Sequence, residues 1–97
     1  MLFAVLFTDD PRKLHIRLGW MKRHLAFLKR YRKEILVAGS LRDRPQDSPK
    51  GALWIVEAEC VDRVKELIAR DPFSRHGLRK RVTVRHWNKA FARKRAI

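Results

Sequence analysis

Two residues of this 97-residue chain combine the side-chain types and settings that acid–base chemistry needs: His24, within RHLAFL, and Asp71, within RDPF. A histidine beside apolar groups such as Trp20 and Phe27 can stay uncharged at pH 7 and accept a proton. A carboxylate that accepts the ring's other N–H would fix the tautomer and orient the imidazole as a general base. The same two residues also fit a plainer account, a part-buried histidine satisfied by a backbone carbonyl and an aspartate capping the turn before Pro72. Residue pattern alone leaves both accounts open.

Other chemistries find little footing. The chain contains no phosphate-binding GxxxxGK[ST], no GxGxxG, no HExxH, no GxSxG and no zinc-ligand spacing, so the enzyme classes that carry those motifs are excluded. His15, His76 and His86 lie among lysines and arginines and read as exposed or edge residues, so neither a metal nor a cofactor is expected. The single cysteine, Cys60, allows no internal disulfide and reads as a small buried residue near a strand end. With no apolar run of roughly 18 residues and no signal-peptide pattern, the sequence reads as a soluble cytoplasmic protein with no membrane partner.

The elements that must position His24 and Asp71 follow from periodicity. Leu2–Thr8 is a continuous apolar run, read as a buried strand, that ends at Asp9-Asp10-Pro11. From Arg12 to Lys33 the spacing predicts a helix. Leu14, Leu18, Met21, Leu25 and Leu28 fall within about 80° of one another and read as its core stripe. Trp20, His24, Phe27 and Tyr31 form a second stripe beside it. Ile35–Leu41 and Ala52–Ala58 read as strands, separated by a Pro- and Gly-containing loop expected to be mobile. Val61–Arg70 reads as a short helix with Val64, Leu67 and Ile68 inward, stopped at Asp71-Pro72. A further turn is expected around Phe73–Gly77, and a last strand over Val82–Trp87.

This β-α-β-β-α-β order is the ferredoxin-like split arrangement, an α+β fold. Both faces of the first and third strands are apolar: Leu2, Ala4 and Leu6 oppose Phe3, Val5 and Phe7, and Leu53 and Ile55 oppose Trp54 and Val56. Helices cover one face of such a sheet. The other would be an apolar patch, so a homodimer packed through sheet faces is expected.

The formal charge is +14 and sits in two blocks. Pro11–Lys33 and Phe73–Ile97 each hold nine Lys or Arg and no acid, whereas Glu34–Asp71 has six bases against eight acids. Such blocks attract anionic ligands or polyanions. An alternative function is therefore a basic nucleic-acid-binding module. Against it, ALWIVEA lacks the aromatic pattern of RNA-reading strands of this fold. Arg79, Lys80 and Arg81 could meet an anion, although charge runs are usually solvated faces.

In order and spacing, MLFAVLFTDD, RHLAFL, AGSL, RDPFSRHGL and VTVRHWNKAF resemble the YciI-like proteins of the YCII-related family, over residues 1–91, with 92–97 left as a basic tail. The resemblance implies a dimeric α+β barrel with sheets packed face to face. It implies an active site built on His24 and Asp71. Since a relative removes HCl from a chlorinated hydroxyquinone, it also implies elimination or isomerisation on a small polar ring. It places Gly39 and Ser40 near that site, where small side chains and backbone N–H groups could accommodate a ligand, with the loop through Gly51 able to close over it. A simpler account has Gly39 relieving crowding in its strand and gives Ser40 no ligand role. The basic blocks depart from the family pattern, which suggests an anionic ligand or an additional partner.

Overall fold

The computed structural model describes residues 1–91 and 93. The elements are β1 (Leu2–Asp9), a 3-10 turn (Pro11–Lys13), α1 (Leu14–Arg30), β2 (Ile35–Leu41), β3 (Gly51–Glu57), α2 (Val61–Arg70), α3 (Pro72–Arg75) and β4 (Arg79–His86). They form an antiparallel sheet of order β2-β3-β1-β4. That topology is the ferredoxin-like one predicted from the sequence. The basic tail expected at 92–97 lies outside the described residues, apart from Arg93.

The core lies between the sheet and the helices. Phe3, Val5 and Phe7 of β1 and Ala52, Trp54 and Val56 of β3 point toward Phe27 of α1 and Val64 and Leu67 of α2. Phe27 and Phe7 pack against Trp54 with ring centroids 5.9 and 4.7 Å away. At the head of β3 the chain runs hard against β1. A Cβ on Gly51 would come within 2.0 Å of the Phe7 carbonyl oxygen, so no other residue fits without backbone movement. On the opposite face, Leu6, Val37 and Leu41 are exposed.

The orientation of α1 differs from the expectation. Leu14, Leu18 and Leu25, expected in the core, are exposed, with 74% of Leu18 in contact with solvent. Arg17, His24 and Phe27 are the buried residues of this helix. The helix is turned by roughly 90°, one quarter of a wheel of 3.6 residues per turn. The reason is that the second stripe offers more: large aromatic area against Trp54 and Tyr31, plus polar groups that find acidic partners.

Cys60 is also corrected. It is exposed, because it sits at the N-cap of α2 in extended backbone, where the chain leaves the sheet. The loop after β2 is tied down by Arg44 bonded to Asp47 at 3.1–3.2 Å, by Lys50 paired with Asp43, and by Arg42 donating to the Asp47 carbonyl. Asp10 caps the 3-10 turn by accepting from the Arg12 amide at 2.9 Å. The Arg12 guanidinium beside it holds the Asp10 carboxyl down at about 2.

Two β-bulges alter the sheet. Between Ile35 and Val37 the extra residue is Leu36, which is half exposed. Between Thr8 and Asp9 the register skips Lys80, so that Asp9 stands opposite Arg79. This second bulge re-aims a side chain, as bulges beside functional sites often do.

Candidate active site

Asp71 ends α2 because the following proline disfavours helical backbone before it, and its extended conformation starts α3. Its Oδ1 accepts from the Phe73 amide at 3.1 Å and lies 2.8 Å from His24 Nδ1. Capping and pairing with the histidine, alternatives in the sequence, are both present. A carboxylate only accepts, so Nδ1–H donates, and in neutral imidazole this leaves Nε2 as the acceptor. Nε2 makes no hydrogen bond among the described residues. Phe73 stacks on the imidazole, centroids 4.0 Å apart and planes 14° from parallel, which fixes the ring's tilt.

Three more residues join this pair: Asp9 and Arg17, which sequence reading did not select, and Arg79, one of three basic residues it named as able to meet an anion. Arg17, two turns before His24 on the same face of α1, donates from Nη2 to Asp9 Oδ2 at 2.7 Å. Arg79, turned inward at the bulge, donates from Nη1 to Asp9 Oδ1, also at 2.7 Å, and its Nη2 stands 3.7 Å from Asp71 Oδ2. The side chains of Arg17, Arg79, Asp9 and Asp71 are 7%, 3%, 5% and 0% exposed. Two buried cations thus meet two buried anions, which offsets the desolvation cost that either sign would bear alone. Arg79 also lies over the Phe7 ring at 4.3 Å.

The set borders a cavity of about 200 Å³ between α1 and the β2 side of the sheet. Arg17, His24 and Arg79 provide its polar lining, Gly39 and Ser40 border it from β2, and Met21, Leu25, Leu28 and Trp54 give it an apolar wall. Of the residues predicted from the sequence, His24, Gly39 and Ser40 line this cavity, and the buried Asp71 is joined to it through His24. Gly39 does not relieve crowding, since a Cβ there would meet nothing within 4 Å. The Ser40 hydroxyl accepts from Arg42 at 2.8 Å. Arg17 Nε, Arg79 Nε and Asp71 Oδ2 are buried without a hydrogen-bond partner, so polar capacity is left over beside the cavity.

Such an arrangement can move a proton at Nε2 beside two fixed guanidiniums. It offers no metal centre: the described residues include no group of three or more His, Cys, Asp or Glu able to hold an ion. His15, His76 and His86 are exposed, as expected, with His76 stacked on Trp20 at 3.7 Å. No helix among the described residues is long and apolar enough to cross a membrane. Signals for the missed residues were present. Asp9 continues the alternation of Phe3, Val5 and Phe7, and Arg17 precedes His24 by seven residues. For Arg79 the signal was the basic run itself, in which nothing marks which of Arg79, Lys80 and Arg81 the bulge turns inward.

Comparison with known proteins gives the family and the fold. The family model of the YCII-related domain matches residues 1–88. A solved structure of 5-chloro-2-hydroxyhydroquinone dehydrochlorinase (TftG) from Burkholderia phenoliruptrix AC1100, in complex with 2,5-dihydroxybenzoquinone, is similar to it with a TM-score of 0.82. The two are 30% identical over 91% of this chain and 94% of that one. A protein of Agrobacterium tumefaciens, 11% identical, shares the fold with a TM-score of 0.56 over 96% of this chain and 98% of its own. No curated protein matches the chain.

Proposed function

Because the chain belongs to the YCII-related family, we propose that it is a small-molecule enzyme in which His24, oriented by Asp71, moves a proton on a small ring carrying an ionised oxygen. The observation that carries this reading is the 2.8 Å His24–Asp71 bond at a cavity flanked by two buried arginines. In an elimination, Nε2 takes a proton from the ring. The freed electron pair forms the new double bond, and a halide departs with its own bonding pair. In an isomerisation the same proton returns to a different ring atom. Either way His24 passes through an imidazolium, which the Asp71 carboxylate stabilises. Arg17 and Arg79 hold the ring oxygen as negative charge builds on it, and their burial strengthens that attraction. Backbone groups of Gly39 and Ser40 border the ring. A hydroxylated hydroquinone or quinone is the natural first choice, since the Burkholderia enzyme is named for a chlorinated hydroxyhydroquinone and was crystallised with a dihydroxybenzoquinone.

The working unit in this proposal is a cytoplasmic homodimer joined through the outer sheet faces, where Leu6, Val37 and Leu41 are exposed. Sedimentation of the wild type should give a dimer, and a stable monomer at micromolar concentration refutes that part. For the chemistry, 2,5-dihydroxybenzoquinone should raise the melting temperature of the wild type but not of His24→Ala. Chloride release from a chlorinated hydroxyhydroquinone should be lost in the same variant. If His24→Ala binds and turns over as the wild type does, the reading is wrong.

A further inference from the structure

We propose that the groove between α1 and the α2–α3 corner binds the phosphate backbone of a single nucleic-acid strand. It lies on the helix layer, apart from the His24 cavity. Arg23 and Arg30 line one wall and Arg70 and Arg75 the other, enclosing about 540 Å³ with Tyr31 between them. No acidic side chain lines it. Arg23 and Arg30 are seven residues apart on α1, so their guanidiniums start from points about 10 Å apart along the helix.

Pairing separates these arginines from the bridged ones, and the shared groove separates them from Arg32, Arg42, Arg81 and Arg85, which also lack a carboxylate among the described residues. Arg12, Arg17, Arg44, Arg63 and Arg79 each have a carboxylate at 3.2 Å or less. Arg23, Arg30 and Arg75 have none among the described residues, and Arg70 reaches only Glu66 at 3.6 Å while donating to the Tyr31 hydroxyl at 3.1 Å. Four like charges gathered on one groove repel one another, and a polyanion relieves that repulsion while releasing its own counterions. All four residues are exposed and spread over two walls. A small phosphate is held by donors that converge and exclude water, whereas an open double row suits an extended chain of phosphates. Lys22 and Lys29 of α1 and Lys33 just beyond it are exposed as well. Aromatic rings stand among the arginines: Arg23 lies over Trp20 at 4.9 Å, and Arg30 and Arg70 over Tyr31 at 5.5 and 5.8 Å. Guanidiniums drawn off these rings onto phosphates uncover ring faces for the unpaired bases of a single strand, whereas the bases of a duplex are not free to stack there.

The first charge block of the sequence thus acquires a place through Arg23 and Arg30, and it is the helix layer rather than the sheet that RNA-recognition domains use. Fluorescence anisotropy of a labelled single-stranded oligonucleotide with the full chain tests this. Four neutralised phosphates predict a slope of log K against log salt near −3, at ~0.7 per phosphate. The pair Arg30→Gln/Arg70→Gln should weaken binding at least about tenfold at ~50 mM salt and flatten the slope by about 1 or more. Lys80→Gln/Arg81→Gln, with equal charge loss on β4, should stay within about twofold of the wild type. Should the first pair fail to fold, Arg23→Gln/Arg75→Gln makes the same test. Three outcomes overturn the proposal: no binding at ~50 mM salt, equal losses in the groove and β4 pairs, or a duplex bound as tightly as a single strand. None of them bears on the His24 chemistry, which is read by ligand stabilisation and turnover.

Discussion

Arginine serves two regions of this molecule in opposite ways. Arg17 and Arg79 are almost wholly buried, and each spends its charge on Asp9 at 2.7 Å. Arg23, Arg30 and Arg75 are exposed and lack any carboxylate partner among the described residues. The difference lies in desolvation. A guanidinium removed from water must find an anion inside the fold, and what remains of its hydrogen-bonding capacity, here Nε on both residues, is aimed by its surroundings. A guanidinium left in water needs no partner, so it remains available to a large anion from outside. Composition counts the two kinds alike. The burial of their neighbours separates them.

The strongest way to break this contrast is to remove the anion that the buried pair shares. Asp9→Asn keeps the shape but leaves two guanidiniums facing a neutral amide in a dry site. It should cost about 3–5 kcal/mol, seen as a large fall in the denaturant midpoint. Combining it with Arg17→Met should recover part of that loss, because one of the two stranded charges goes. A single-variant cost below about 0.5 kcal/mol, the range of surface substitutions, would mean that water reaches the cluster freely.

How these residues came to be hidden explains what the sequence could and could not convey. Strand order, the α2 stripe and the stop at Pro72 were legible, because alternation, helical spacing and proline act locally. His24 and Asp71 were legible through their types and the family resemblance. The face of α1 was not. Two stripes competed, and the choice depended on Trp54, Asp9 and Asp71, which come from other parts of the chain. Arg79 was less legible still. In unbroken register Lys80 would stand opposite Asp9, and only the bulge at Thr8/Asp9 brings Arg79 inward in its place. A run of three basic residues carries no mark of which one the sheet will swallow.

The next test sharpens the contrast at the edge of the cavity. Asp71→Asn keeps an acceptor for the Phe73 amide but can present its amide N–H₂ to His24, favouring the wrong tautomer. Turnover on the proposed ring substrate should drop by about 10² or more, with a stability loss of only about 1–2 kcal/mol. A stability loss without a catalytic one would assign Asp71 to capping alone. At the groove the expectation reverses. Arg30→Gln should change stability by no more than about 0.5 kcal/mol, since no buried partner is left unpaired. A larger loss would show that Arg30 is part of the fold and not a free charge.

Between these extremes lies Arg63, only partly exposed, which donates to both oxygens of Glu34 at 2.7 and 2.8 Å. Its hydrogen bonds hold the Glu34 carboxyl below the usual 4.5, and Arg12 likewise holds Asp10 at about 2 instead of 3.8. A carboxylate whose pKa is lower folded than unfolded stabilises the fold while ionised. Its contribution is complete above the unfolded value and disappears as pH falls through the folded one. Acid titration of stability should therefore lose the Glu34 contribution from about pH 4.5 downward, and that of Asp10 between about 3.8 and 2. Arg63→Gln should flatten only the first window, by a small amount, because the pair is open to solvent and screened by salt. If the first window keeps its full slope in that variant, Glu34 owes its lowered pKa to some other group, and Arg63 belongs with the unpaired arginines of the surface.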